Sequence, residues 1–172
     1  AVTIHLALEE ALHGAERELQ IGPNRIRARI PKGATHGQQL KLRGKGGPGA
    51  NGGTPGDLYL NIVLEPHPLF RVSGHDVDLE VPLAPWEAAL GAEVEIPTLQ
   101  GRVSLRVPAG SQAGQKLRLA AKGLPKPGGG AGDLYAALTI VVPPSLSERE
   151  KKLYEELRGA SRFDPRSRFR GH

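Results

Sequence analysis

Apolar and polar residues alternate from the first position of the chain. Val2, Ile4, Leu6 and Leu8 fall on one side and Thr3, His5 and Ala7 on the other, a period of two that predicts a half-buried strand. Glu9 to His13 predicts a short helical turn stopped at Gly14. Alternation resumes over Glu16 to Ile21, with Leu19 and Ile21 on one face, and Gly22-Pro23-Asn24 has the composition of a turn. Arg25 to Ile30 predicts a further strand with its arginines on the wet face, and Gly33 and Gly37 flank a tight connection before Leu40 and Leu42. In Asp57 to Leu64, Leu58, Leu60, Ile62 and Leu64 share one face, while Tyr59, Asn61 and Val63 take the other. The two prolines of Pro66-His67-Pro68-Leu69-Phe70 make a stiff connection to the second half of the chain.

Beyond that connection the series begins again. Strands centre on Leu79 to Val81, Val94 to Ile96, Val103 to Val107, Lys116 to Leu119 and Leu134 to Val142, and Pro85 opens a short helix at Trp86 to Leu90. Arg29-Ile30-Pro31-Lys32-Gly33 corresponds to Arg106-Val107-Pro108-Ala109-Gly110 at an offset of 77 residues. Glu10-Ala11-Leu12-His13-Gly14-Ala15-Glu16 matches Glu87-Ala88-Ala89-Leu90-Gly91-Ala92-Glu93 at the same offset. Gly56-Asp57-Leu58-Tyr59 returns as Gly132-Asp133-Leu134-Tyr135, 76 residues on, after a Lys-Gly and a glycine-rich run in each copy. Two copies at this spacing predict a duplicated unit, residues 1–70 and 71–144, rather than a solenoid of short repeats. Short strands joined by Gly/Pro turns predict an all-β sandwich or barrel in each.

The last element differs. Ser147 with Glu150 three residues later is a capping box, Leu153, Tyr154 and Leu157 recur at helical spacing, and Gly159 is the expected stop of a helix within 145–160. Such a short helix is marginal alone in water, so its apolar stripe calls for a partner surface. Pro143 and Pro144 set an extended exit that directs it away from its own unit. Two-fold pairing with a second chain would cover the stripe; folding back onto the second unit is the alternative. Residues 161–172 are expected to be disordered.

Composition narrows the possibilities. Cysteine is absent, which excludes disulfides and thiolate catalysis and fits a reducing, cytoplasmic setting. No apolar run spans a bilayer, and the start has no signal-peptide pattern. Methionine is also absent, so residue 1 is expected to be internal to a longer protein with part of its function upstream. Net charge is +5, scattered among carboxylates until the stretch Arg158 to His172, which holds five arginines and one aspartate. Abundant glycine and proline with more Arg than Lys point to a thermophilic or GC-rich source.

The sequence holds no recognisable catalytic pattern. The six histidines show no metal-ligand spacing, the glycine run Gly44 to Gly56 holds no phosphate loop and reads as a hairpin connection, and Ser104, Ser111 and Ser145 lie in no nucleophile context. Asp57 and Asp133 are equivalent between the copies, which suits turn residues better than paired catalytic acids. The expectation is a binding protein with no enzymatic activity, no metal and no cofactor. An all-β unit can take up extended peptide by strand addition. Ile4 and Leu6 on one strand, Leu19 and Ile21 on the next, and Phe70 at the unit's close are candidates for an apolar groove, or else plain core.

These motifs resemble a known family. Glu9 to Arg17, Ile30-Pro31-Lys32-Gly33, Gly56-Asp57-Leu58-Tyr59, His67-Pro68-Leu69-Phe70, Ala89 to Glu93, Ile96 to Gly101 and Leu146 to Leu157 are similar to the C-terminal substrate-binding region of DnaJ-type (heat-shock) J-domain co-chaperones. No His-Pro-Asp loop and no cysteine-rich zinc module is present, and Gly22-Pro23-Asn24 stands where such a module inserts, so the likeness is to the zinc-free, CbpA-like class. The resemblance implies a mainly β fold of two tandem, similar β-sandwich subdomains followed by a C-terminal dimerisation helix carrying Leu153, Tyr154 and Leu157. It also implies a peptide groove formed by Ile4, Leu6, Leu19, Ile21 and Phe70 with Arg17 at its rim, and secondarily a counterpart at Val81, Leu83, Val94 and Ile96. The implied partners are unfolded polypeptide clients, a DnaK-type chaperone reached mainly through the missing J-domain, and a second copy of the chain. DNA is a further partner in the competing reading, a nucleoid-associated module; no membrane partner is expected.

Overall fold

The computed structural model describes residues 1–42 and 56–171, and the glycine-rich run expected to be a hairpin connection lies almost wholly outside them. In the first repeat β1 (Val2–Leu6) leads into α1 (Leu8–His13), the hairpin β2 (Ala15–Ile21) and β3 (Asn24–Ile30), then β4 (Gln39–Leu42) and β5 (Leu58–Leu64). Leu8 opens α1 rather than extending β1. The second repeat runs through β6 (Phe70–Ser73), β7 (Asp76–Leu83), α2 (Pro85–Leu90), β8 (Ala92–Thr98), β9 (Gly101–Val107), β10 (Lys116–Leu119) and β11 (Leu134–Ile140).

Each repeat is a sheet with a separate two-stranded hairpin. The first sheet has the order β1-β5-β4 and the second β10-β11-β7-β6, with hairpins β2-β3 and β8-β9. β1 runs parallel to β5, pairing Val2 with Leu60 through Leu6 with Leu64, and β7 runs parallel to β11 in the same way. The chain is therefore mainly β and of the sandwich class. β6 is an addition to the second sheet: Gly74-His75 makes a two-residue turn that sets Ser73 opposite Asp76 and Phe70 opposite Leu79.

Alternation along the strands builds two apolar clusters. One holds Ile4, Leu6, Ala28, Ile30, Leu58, Leu60 and Ile62, with Leu19, Ile21 and Ile26 half-buried against it. The other joins Val77, Leu79, Val81, Leu83, Leu134 and Leu138 to Leu8 and Leu12 of α1, so the first repeat's helix packs into the second repeat's core. Full burial of each such Leu or Ile contributes about 1.5–3 kcal/mol. The recurring Gly-Asp-Leu-Tyr motif has a steric and a polar basis here. The His75 carbonyl accepts from Leu124 N at 2.8 Å and lies so close to Gly123 and Gly132 that a Cβ on either would overlap it. The Asp133 carboxylate accepts from Ala121 N at 2.9 Å and pairs with Arg118 Nε at 2.8 Å, and the corresponding Asp57 pairs with Lys41 Nζ at 3.2 Å.

Ala1–Ile140 and Val141–His172 form two compact units. In the second, α3 (Glu148–Ala160) is capped by Ser147 Oγ, which accepts from Glu150 N at 3.1 Å, while Ser147 N donates to Glu150 Oε1 at 2.8 Å. The helix does not stop at Gly159. Ser161 N reaches back to Leu157 O at 2.9 Å, and the glycine continues the helical path. Ser167–Phe169 forms one 3-10 turn. No helix among the described residues is long and apolar enough to cross a membrane.

Candidate peptide-binding groove at the open edges of β1 and β2

Among the described residues β2 pairs only with β3, and β1 only with β5, so each keeps one edge without a strand partner. The inward side chains of both strands belong to the same apolar cluster. Ile4 and Leu6 of β1 are its buried floor. Leu19 and Ile21 of β2, with Val2 of β1, stay half-buried, where an incoming apolar side chain can still reach them.

Arg17 ties the two strands together. It lies on the same face of β2 as Leu19 and Ile21, and its Nη2 donates to the His5 carbonyl of β1 at 3.2 Å. The same guanidinium makes a two-pronged contact with Glu10 of α1, Nη2 to Oε1 at 2.8 Å and Nη1 to Oε2 at 2.5 Å. Glu10 Oε1 also accepts from Ala7 N at 3.1 Å, so one carboxylate caps α1 and holds the arginine. The hydrogen bond from Arg17, and then that from Ala7, holds the Glu10 carboxyl below the usual carboxylate range, and the Glu10 bond raises Arg17 further.

The sign of that shift sets a pH dependence. A carboxyl whose pKa is lower in the folded chain adds stability above its ordinary range, and the contribution disappears as pH falls through the folded value. In thermal melts followed by circular dichroism, the chain should lose melting temperature below about pH 5 more steeply than Glu10→Gln, which keeps the cap without a titrating group. Parallel curves would mean that the pair has no net effect.

Five of the six residues expected in the groove therefore come together: Ile4, Leu6, Arg17, Leu19 and Ile21. Phe70 does not join them directly. It is buried on β6 in the other cluster, with its ring 4.9 Å from that of His67, whose Nδ1 accepts from Leu69 N at 3.0 Å. Phe70 also lines an open depression of about 480 Å³ with Leu8, Leu64 and Val72. Leu64, which packs against both clusters, is the link between this corner and the groove. Glu10 and the His5 carbonyl were missed from sequence. Glu10 could have been found, because Glu87 repeats its cap at the same offset, with Ala84 N donating to Glu87 Oε1 at 2.9 Å.

The second repeat departs from this arrangement. Val94 stands in the place of Arg17, Ile96 in that of Leu19 and Thr98 in that of Ile21. Ile96 and Thr98 are buried, Thr98 Oγ1 donates to Gly101 O at 2.6 Å, and Val81 and Leu83 are core. Among the described residues no group of His, Cys, Asp or Glu could hold a metal ion.

Comparison with known proteins agrees with the architecture. The DnaJ C terminal domain family matches residues 1–143. A "Curved DNA-binding protein" of Coxiella burnetii is 46% identical over 182 residues, covering 98% of this chain and 58% of that protein. Proteins of the same name from Pseudomonas putida and Salmonella arizonae are each 48% identical, covering 84% and 90% of this chain and 45% and 49% of their own lengths. The chain thus spans about half the length of these curated relatives. With its duplicated sandwich units and a matching stretch of 143 residues, it belongs to the DnaJ C terminal domain family, the domain of DnaJ-type co-chaperones.

Proposed function

We propose that this chain holds extended apolar segments of unfolded proteins and presents them to a DnaK-type chaperone. The observation that carries the reading is the unpartnered edge of β2 beside half-buried Leu19 and Ile21. A peptide laid along that edge gains backbone hydrogen bonds whatever its sequence, and its alternate side chains meet Leu19, Ile21 and the Ile4–Leu6 floor. Arg17, bound to Glu10 and His5 O, closes one end. Phe70 supports the groove from the β5–β6 corner through Leu64. The division of labour follows the chain: residues 1–70 bind peptide, 71–144 form the second β subdomain, 145–160 dimerise, and 161–172 trail. The second subdomain is closed to peptide in this reading, because Ile96 and Thr98 are buried where Leu19 and Ile21 are open.

A second reading is favoured by the name of the relatives and by a row of exposed arginines, Arg25, Arg27 and Arg29, on β3. These could meet the phosphates of duplex DNA. Cross-strand Glu18 and Glu16 stand opposite Arg27 and Arg29 and offset part of that charge. The two readings separate on salt. Phosphate contacts cost close to one log unit of affinity per log unit of salt each, whereas apolar capture changes little. Binding of a Leu/aromatic-rich peptide and of duplex DNA, measured across a salt series, should give salt-insensitive peptide binding. Tight, salt-sensitive duplex binding without peptide binding would replace the first reading by the second.

Dimerisation is the third part of the proposal. Leu153 is 46% exposed and Leu157 60% exposed on one side of α3, with half-buried Tyr154 beside them. Pairing with the same stripe of a second chain would cover them and place two grooves on one assembly, raising the effective concentration for a long client. Sedimentation should show a concentration-dependent dimer for the chain and a monomer for Leu153→Asp/Leu157→Asp. Equal behaviour of the two would remove the helix from the interface.

A further inference from the structure

The segment after α3 carries a pattern that peptide capture does not use. Ser161-Arg162-Phe163 is repeated as Ser167-Arg168-Phe169, and arginines also stand at 166 and 170 and, in the last turn of α3, at 158. The segment is turned by its own short-range bonds. Phe163 N donates to Ser161 Oγ at 3.1 Å, Arg166 N to Asp164 Oδ1 at 3.0 Å, and Phe169 N to Arg166 O at 2.9 Å. Asp164, the one acid between Arg158 and Arg170, is engaged by Arg170 Nη2 at 2.9 Å. Arg158, Arg162, Arg166 and Arg168 have no ion pair among the described residues. The two phenylalanine rings are left open to solvent, Phe163 81% and Phe169 62% exposed.

We propose that residues 158–170 are a binding site for single-stranded nucleic acid, RNA or unpaired DNA. Four unpaired guanidinium groups suit a phosphate backbone, which an uncharged apolar client would leave without partners. Two exposed rings, each next to an arginine, suit bases whose faces are free to stack; a duplex hides those faces inside its own stack. A purely electrostatic patch for duplex DNA would have no use for the rings. The site shares no residue with the groove on β2 or with the arginines of β3, so it stands or falls independently of peptide capture and of duplex binding.

The test uses the whole chain with a labelled oligo(dT) of about 15 nucleotides, the matching duplex and anionic vesicles as probes. The chain should bind the single strand more tightly than the duplex, with log affinity falling against log salt at a slope of about −3 if four phosphates are contacted. Phe163→Ala/Phe169→Ala should weaken single-strand binding about tenfold or more at an unchanged slope. Arg162→Ala/Arg166→Ala/Arg168→Ala should flatten the slope by about two. These side chains are exposed, and an unchanged circular dichroism spectrum verifies that α3 persists in each variant. Absence of single-strand binding, equal affinity for duplex and single strand, indifference to loss of both rings, or preference for the vesicles would each overturn the proposal.

Discussion

Replacing Leu19 with aspartate is expected to lower affinity for a Leu/aromatic-rich peptide at least about tenfold while the chain still folds. The reason is where Leu19 sits. It is half-buried on a two-stranded sheet at an open edge, so the new carboxylate can turn toward water in the free protein. A bound peptide would remove that option, and the unpaired charge would then be desolvated beneath it. Leu6→Asp is the contrasting case. Leu6 is fully buried, and a charge there has no route to solvent, so this variant should not fold. Fluorescence anisotropy with a labelled peptide and a thermal melt read both effects. Should Leu19→Asp unfold the chain as Leu6→Asp does, Leu19 is plain core; should it fold and bind peptide normally, the groove lies elsewhere.

Gly132→Ala is expected to destabilise the fold by about 3 kcal/mol or more, because a Cβ at this position would overlap the His75 carbonyl oxygen. The oxygen cannot retreat freely, since it also accepts from Leu124 N, and Asp133 N donates to Asp76 Oδ1 at 2.8 Å across the same contact. For a chain of this size such a loss lowers the melting temperature by roughly 6–12 °C. Gly159→Ala is the matched control. It lies in α3 with open space around it, and exchange to alanine there should stabilise the helix by about 0.5–1 kcal/mol. Equal melting temperatures for Gly132→Ala and the parent chain would show that the His75 turn can shift.

Much of this architecture was legible because it is written twice. The offset of 77 residues marks two equivalent repeats, and the period-two faces of Leu58, Leu60 and Ile62 are the buried faces. The first short helix is legible from the glycine that stops it, Gly14, and the second from the proline that opens it, Pro85. What escaped depends on contacts between segments distant in sequence. Phe70 reads as the close of the first repeat, yet β6 pairs with β7, and this places its ring in the second repeat's core. The signal was present in Ser73-Gly74-His75-Asp76, a two-residue hairpin turn with glycine first. Leu8 fits the alternation of β1 but turns into α1 because Glu10 caps at Ala7 N. The end of α3 was set one turn's hydrogen bond later than its glycine suggested. In the groove, the apolar members came from pattern and resemblance. The arginine's partners did not, since a contact from β2 to a backbone carbonyl of β1 leaves no mark on side-chain periodicity.

The parallel pairing of β1 with β5 and of β7 with β11 has a consequence for how the protein comes into being. In each sheet an inner strand is the last to leave the ribosome: β5 follows β1 and β4, and β11 follows β6, β7 and β10. Nascent β1 and β4 therefore have no sheet to join until Leu64 has been made, and β10 none until Ile140. Pairings this distant along the chain carry a loop-closure cost before they return any stability, so each sheet is completed late, after the local hairpins β2-β3, β6-β7 and β8-β9 can form. During that interval Ile4, Leu6 and Leu40 are apolar residues in search of cover, so a protein proposed to hold unfolded chains is, while it is being made, briefly a client of the same kind.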